Sequence, residues 1–323
     1  MPAPPTRAAR KKALLIGINY FGDPNQLLGC INDTRELFGF ISGYFGFMYH
    51  DTIMLTDDSI YEDKRPTGAN IRYWMKWLIK DAQPQDSLFF HYAGNSEHCK
   101  LLVLGDEADG FDEIIYPCDY LRSGIISDDE MYDLMVKDLP AGVQLTALVD
   151  ACHSGTMLDL PYVYNGDHVT ALEKISMPRK KMGAMAAMSA DESTNIPIPG
   201  SISGANVQTT TTTTTTTITT VVGPNGVTQQ YTNTNGIMTT KTKGNVVMFS
   251  GCRDDQALPQ TYLSPQARGA VSYAWIKSLS LKRDQTYEEL LLSMRNFMKQ
   301  RDLEQVPQLG SGRPMDMRAT FRL

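Results

Sequence analysis

At 323 residues and 42% hydrophobic content, the chain can bury a full core as one large or two ordinary domains. A net charge of −6 and a pI near 5.4 exclude a basic, phosphate-neutralising surface, so nucleic acid is not an expected partner. Five cysteines with no C-x-x-C pair or regular spacing build neither a disulfide framework nor a zinc site, and they fit a reducing compartment.

Residues 1–11 form a short Pro-, Ala- and Arg-rich tail, followed by Ala13-Leu-Leu-Ile16. Gly17, Asn19 and Tyr20 interrupt that apolar run, and no small-residue cleavage site follows, so the start does not read as a signal peptide. No stretch approaches the roughly 20 apolar residues of a membrane span. The expectation is a soluble chain in the cytoplasm or nucleus, without a membrane partner.

Residues 13–18 read as a buried strand, and Asn32 and Asp33 open a helix with Leu37, Phe38 and Ile41 on one face. Residues 52–56 are a second strand. Pro66-Thr67 start a helix whose Ile71, Trp74, Met75 and Leu78 recur at helical spacing. Residues 86–92, 143–149 and 246–250 are further strands. Two helices follow near 267–279 and 286–299, with a last short strand near 317–322. Strands alternating with helices of this length predict an α/β fold with a mostly parallel sheet covered on both faces.

Residues 200–244 depart from this pattern, with nine consecutive threonines at 209–217 and a Gly/Asn/Thr/Gln-rich continuation. Such a Thr-rich loop insertion has no apolar face to bury and reads as solvated or disordered. The alternative is a loose hairpin around Pro224-Asn-Gly226, because β-branched residues pair readily. Arg179-Lys-Lys181 on the way in would make the segment a cleavable linker.

Chemistry concentrates where residues 145–149 deliver Asp150, Cys152 and His153 onto a turn bent by Gly155. A cysteine at the exit of a buried strand suits a nucleophilic thiolate, although free cysteines are more commonly packed structural thiols. His153, adjacent to it, would leave the turn in another direction and reads as structural. Asp106-x-x-Asp109-Gly110-x-Asp112 looks like a calcium loop without EF-hand spacing.

Together, Lys12-Ala-Leu-Leu-Ile-Gly-Ile-Asn-Tyr20, Gly29-Cys-Ile-Asn-Asp33, Ile126-Ser-Asp-Asp-Glu130, Asp150-Ala-Cys-His-Ser-Gly155, Ser250-Gly-Cys252 and Pro307-Gln-Leu309 resemble the metacaspases of the fungal type I group, caspase-like cysteine peptidases. The likeness runs almost end to end, leaving out only the Thr-rich insertion and the shortness of the tail. It implies the caspase-hemoglobinase fold, a six- to eight-stranded, mostly parallel sheet flanked by helices, with residues 12–323 as one domain. It also implies Cys152 as nucleophile. Asp33 and Asp150 would be the acidic pair of a specificity pocket, acting on protein or peptide substrates after Arg or Lys. Arg179, Lys180 and Lys181 would then be self-processing sites, the alternative being a solvated basic cluster. Asp112, Asp128, Asp129 and Asp159 would bind Ca2+ as an activator that orders the surrounding loops, in a monomeric protein.

One motif breaks the likeness. The family's His-Tyr-Ser-Gly-His-Gly reads here His91-Tyr-Ala-Gly-Asn-Ser96, and residues 97–104 are foreign to the pattern. Asn95 thus stands in the general-base position, and an amide takes no proton from a thiol near neutral pH. Three accounts are open. His98 substitutes from a loop that folds back; the chain is an impaired pseudo-metacaspase with a regulatory or interaction role; or a misplaced exon boundary exchanges this block. His91 lies inside the strand, packed or hydrogen-bonded, and Cys99 beside His98 lacks a second pair of metal ligands.

Overall fold

The computed structural model describes residues 7–99, 112–151, 157–165, 170–173, 206–211, 216–222, 228–234, 242–251, 269–303 and 305–323. The chain forms two compact units, one of them Met1–Leu101 with Phe111–Lys174 and Thr240–Leu323, the other Leu102–Gly110 with Ile175–Thr239. In the larger unit β1 (Lys11–Gly17), α1 (Cys30–Phe45), β2 (Thr52–Thr56), α2 (Gly68–Ile79) and β3 (Ser87–Ala93) come first. Then follow β4 (Ser96–Cys99), β5 (Asp112–Ile115), α3 (Tyr120–Ser123), β6 (Ile126–Ser127), α4 (Asp128–Met135), β7 (Gln144–Asp150), β8 (Tyr162–Asn165) and β9 (Thr170–Glu173). The smaller unit carries β10 (Asn206–Thr211), β11 (Thr216–Val222) and β12 (Thr228–Thr234), after which the larger resumes with β13 (Asn245–Ser250), α5 (Ala270–Leu281), α6 (Tyr287–Lys299) and β14 (Gln308–Ser311).

The main sheet has eight strands in the order β2-β1-β3-β7-β13-β14-β8-β9. From β2 to β13 all pairings are parallel, and β14, β8 and β9 add antiparallel pairings. This is the mostly parallel α/β architecture expected of the caspase-hemoglobinase fold. Alternation along each strand splits the core into two layers. Leu14, Ile16, Leu88, Phe90 and Tyr92 face Ile71, Met75 and Leu78 of α2 and Met131 and Met135 of α4. Ala13, Leu15 and Phe89 face Leu37 and Ile41 of α1, Trp275 of α5 and Met294 of α6. Buried on both faces, β1 and β3 are therefore apolar almost throughout, which is why they read as continuous runs.

The helix starts follow from capping. Thr67 accepts the Asn70 N–H at α2, Ser127 accepts the Glu130 N–H at α4, and Thr286 with Glu289 forms a reciprocal capping box at α6. No described helix is long and apolar enough to cross a membrane.

Two expectations change. Residues 317–322 form no strand. Met317 and Phe321 bury their side chains in the core, Phe321 edge-on to Trp275, while the backbone makes a single bridge from Thr320 to Thr286. The last strand is β14, earlier in the chain, where the ladder to β13 and β8 is available. In the Thr-rich insertion the backbone takes the paired alternative, an antiparallel meander β10-β11-β12. The Pro224-Asn-Gly226 turn and Arg179-Lys-Lys181 lie outside the described residues.

Candidate active site

Register aligns the carboxyl ends of three neighbouring strands, Gly17 of β1 beside Ala93 of β3, and Ala93 beside Asp150 of β7. Open α/β sheets bind their ligands at this edge, where connections leave the strands. The segments carrying Asp33, Asn95 and Asp150 all emerge here. Cys152 and His153 follow two and three residues after Asp150 and lie outside the described residues, while Ala151, which precedes them, is buried.

Gly17 lets α1 close onto the strand end, since a Cβ there would collide with Thr34 and the Cys30 carbonyl. That docking sets Asp33, in the first turn of α1, into the interior with 3% of its surface exposed. Its Oδ2 accepts the Gly269 N–H at 2.7 Å. Asp150, equally interior, accepts the Ser272 N–H at 2.9 Å. Gly269 is the N-cap of α5 and Ser272 its third helical residue, so two carboxylates from distant elements satisfy N–H groups that a helix start leaves open. Glycine at 269 leaves room for this contact, because a Cβ there would run into the Asp150 carboxylate and one of the two would have to move.

The crowding has electrostatic consequences. Burial pushes the Asp150 carboxyl above its ordinary value, and the N–H groups of Ser272 and Val271 pull the other way. The buried Cys30 thiol is pushed well up, first by burial and then by the Asp33 and Asp150 charges. The sequence placed a helix near 267–279 but gave no sign that its start at Gly269 meets Asp33 and Asp150.

Asn95 sits at the exit of β3 in a net of tyrosines. Its N–H reaches the Tyr20 hydroxyl at 3.0 Å and its carbonyl accepts the Tyr92 hydroxyl at 2.7 Å. The Tyr20 hydroxyl also donates to the Tyr116 carbonyl at 2.7 Å, and Tyr20 holds a left-handed backbone, φ 55°. The Asn95 side chain donates to the Asn25 carbonyl at 3.3 Å. His91 is no replacement base: it is fully buried, bonded through Nδ1 to the Leu148 carbonyl at 3.0 Å, and burial lowers its pKa to about 4. His98 is not in a folded-back loop. Residues 96–99 form β4, whose ladder sets His98 opposite Glu113 of β5.

Of the expected calcium residues, β5 and β6 bring three close along the backbone. Ile114 pairs with Ser127, so Asp112 and Asp128–Asp129 lie at the same end of this ladder. Asp128 is fully buried, with Oδ1 on its neighbour Asp129 N–H at 2.7 Å and Oδ2 on the Glu113 N–H at 3.1 Å. Burial, reinforced by the Glu113 carboxyl, holds its pKa well above the ordinary range. Asp159 has a left-handed backbone, φ 46°, and its neighbours Leu158 and Leu160 pack in the core layer that contains Ile126 and Met131. Among the described residues no three acidic, His or Cys groups already converge as a metal cage. The donor chemistry, all carboxylate oxygen, suits a hard cation.

Residues 11–161 match the family description "Metacaspase, peptidase C14 domain". Metacaspase-1 of Meyerozyma guilliermondii is 40% identical over 97% of this chain and 72% of the relative. The chain belongs to the metacaspase family. Metacaspase-1 of Saccharomyces cerevisiae is similar at 40% identity, over 97% of the chain and 68% of the yeast protein. Among solved structures, a protein from Geobacter sulfurreducens is similar in fold, with a TM-score of 0.56 at 18% identity and 97% of both chains covered. Metacaspases are cysteine peptidases, and membership assigns this chain to that class and its substrates to proteins. The departure at Asn95 is therefore a departure inside a metacaspase.

Proposed function

We propose that this metacaspase is a calcium-activated cysteine endopeptidase that cleaves after Arg or Lys. Cys152 attacks the carbonyl carbon on the C-terminal side of the basic residue. The oxyanion is held by backbone N–H groups of Cys152 and Ser96, the amine leaves with a proton, and water hydrolyses the thioester. What carries the basic preference is the meeting of Asp33 and Asp150 at Gly269, two buried carboxylates beside the strand end that leads into Cys152. Two carboxylates facing one site favour a guanidinium or ammonium side chain over any neutral one. Calcium would be held by Asp112, Asp128, Asp129 and Asp159, supplying the charge that a buried carboxylate cluster otherwise lacks. The juxtaposition of β5 and the β6–α4 corner supports this.

A second reading is favoured by one observation. Asn95 supplies no base, and the nearest histidine along the strand, His91, is buried and neutral. A metacaspase without a proton acceptor would act as a regulatory or interaction protein. Cleavage of a fluorogenic Arg substrate, with and without calcium, decides between them when the native chain is run beside Cys152→Ala, His98→Ala and Asn95→His. Activity in the native chain that is lost in Cys152→Ala supports the peptidase; further loss in His98→Ala makes His98 the base. Silence in the native chain with activity in Asn95→His supports the second reading.

A further inference from the structure

Where the family's general base would stand, the larger unit has a cavity of about 420 Å3, within the range of small-ligand sites. Two carboxylates line it from different elements: Asp23, from the segment after β1, and Glu97 of β4. Each is oriented by a tyrosine, Tyr120 donating to Asp23 Oδ2 at 3.0 Å and Tyr116 to Glu97 Oε2 at 2.6 Å. The two tyrosine rings meet edge to face with centroids 5.2 Å apart. Asn95 closes one wall, bonded to the Asn25 carbonyl. No Lys, Arg or His is among the described lining residues.

We infer that this cavity binds a cationic side chain, a guanidinium or ammonium group presented by a peptide, at a site separate from the Asp33–Asp150 pair. Carboxylates supply the charge complement, aromatic rings attract a cation, and the volume admits one long side chain. A metal ion fits less well, because only two carboxylates contribute and each already accepts a hydrogen bond from a tyrosine hydroxyl. Glu97 and Asn95 both belong to the block that departs from the family pattern. The same substitutions that remove the base thus furnish this site. The inference does not depend on Cys152 being active.

The test uses the full chain carrying Cys152→Ala, with ring-labelled tyrosines observed by NMR, titrated with N-acetyl-arginine amide and with its neutral counterpart N-acetyl-citrulline amide. Saturable shifts at the Tyr116 and Tyr120 rings are expected with the arginine probe only. Asp23→Asn and Glu97→Gln should each weaken that binding about tenfold, as should raised ionic strength. Glu97→Gln keeps an acceptor for the Tyr116 hydroxyl, so the fold is retained. Asp33→Asn should leave these tyrosine shifts in place, which separates this site from the specificity pair. Absent shifts, equal binding of the citrulline probe, or unchanged affinity in both carboxylate variants would overturn the inference.

Discussion

Asp150, the last residue of β7, holds the first turn of α5 through Ser272, whose backbone N–H reaches its Oδ2 at 2.9 Å. The same helix start is tied to α1 through Asp33 and Gly269. Three elements from the beginning, middle and end of the chain are thereby clamped around one point. The clamp lies next to the segment that carries Cys152. A defect in it should therefore appear in stability and in recognition of basic substrates together.

Gly269→Ala tests that clamp. The glycine has ordinary helix-entry dihedrals, φ −72° and ψ 135°, so the added methyl acts through collision with Asp150 and not through backbone strain. A loss of about 1–3 kcal/mol is expected, read from the denaturant midpoint. Adding Asp150→Ala should recover part of it, because the collision partner is gone. Strict additivity of the two losses would show that they do not meet.

Tyr20→Phe removes the hydroxyl that accepts the Asn95 N–H and donates to the Tyr116 carbonyl. Leaving such groups without partners in a largely buried place costs about 1–3 kcal/mol. In an Asn95→His background the same change should lower kcat more than it raises KM, since the base position loses its anchor while the Asp33–Asp150 pair is untouched. Equal effects on both constants would count against this anchoring role.

His91 predicts an acid-sensitive stability. Its folded pKa, about 4, lies below the unfolded 6.5, so the folded chain binds fewer protons between those values. The contribution is fully present above pH 6.5 and is lost as the pH falls through that window towards 4, for a total of about 3 kcal/mol. His91→Gln keeps a donor for the Leu148 carbonyl and removes the titration. Urea unfolding between pH 7 and pH 4 should show a flatter profile in this variant; superimposable profiles would exclude His91 as the cause.

Calcium should raise the unfolding temperature of the native chain, by a free energy of about 2.7 kcal/mol at a hundredfold excess over its Kd. Asp129→Asn is expected to lose this increment without a large cost in metal-free buffer, because Asp129 is only half-buried. A chelator should reverse the rise. An identical calcium response in Asp112→Asn and Asp129→Asn would remove these residues as ligands.

Much of the fold was legible because β1, β3 and β7 are buried on both faces and therefore largely apolar, and because Thr67 and Thr286 mark helix starts chemically; the helix after Ser127 was not read from the sequence. The last strand was misread because Met317 and Phe321 are apolar for core packing without a ladder. His98 was misread as loop because the sequence of β4 says nothing of its partner β5, from which it is separated by residues 100–111.

The chain by itself determined the family, the nucleophile candidate at Cys152 and the anomaly at Asn95, since each rests on residue identity in a local motif. Only the tertiary structure decided that Asp33 and Asp150 converge on Gly269, that His91 is sealed and neutral, and that Asp23 and Glu97 share a tyrosine-lined cavity. These are relations between elements far apart in sequence. They depend on strand order and register, which local periodicity does not encode.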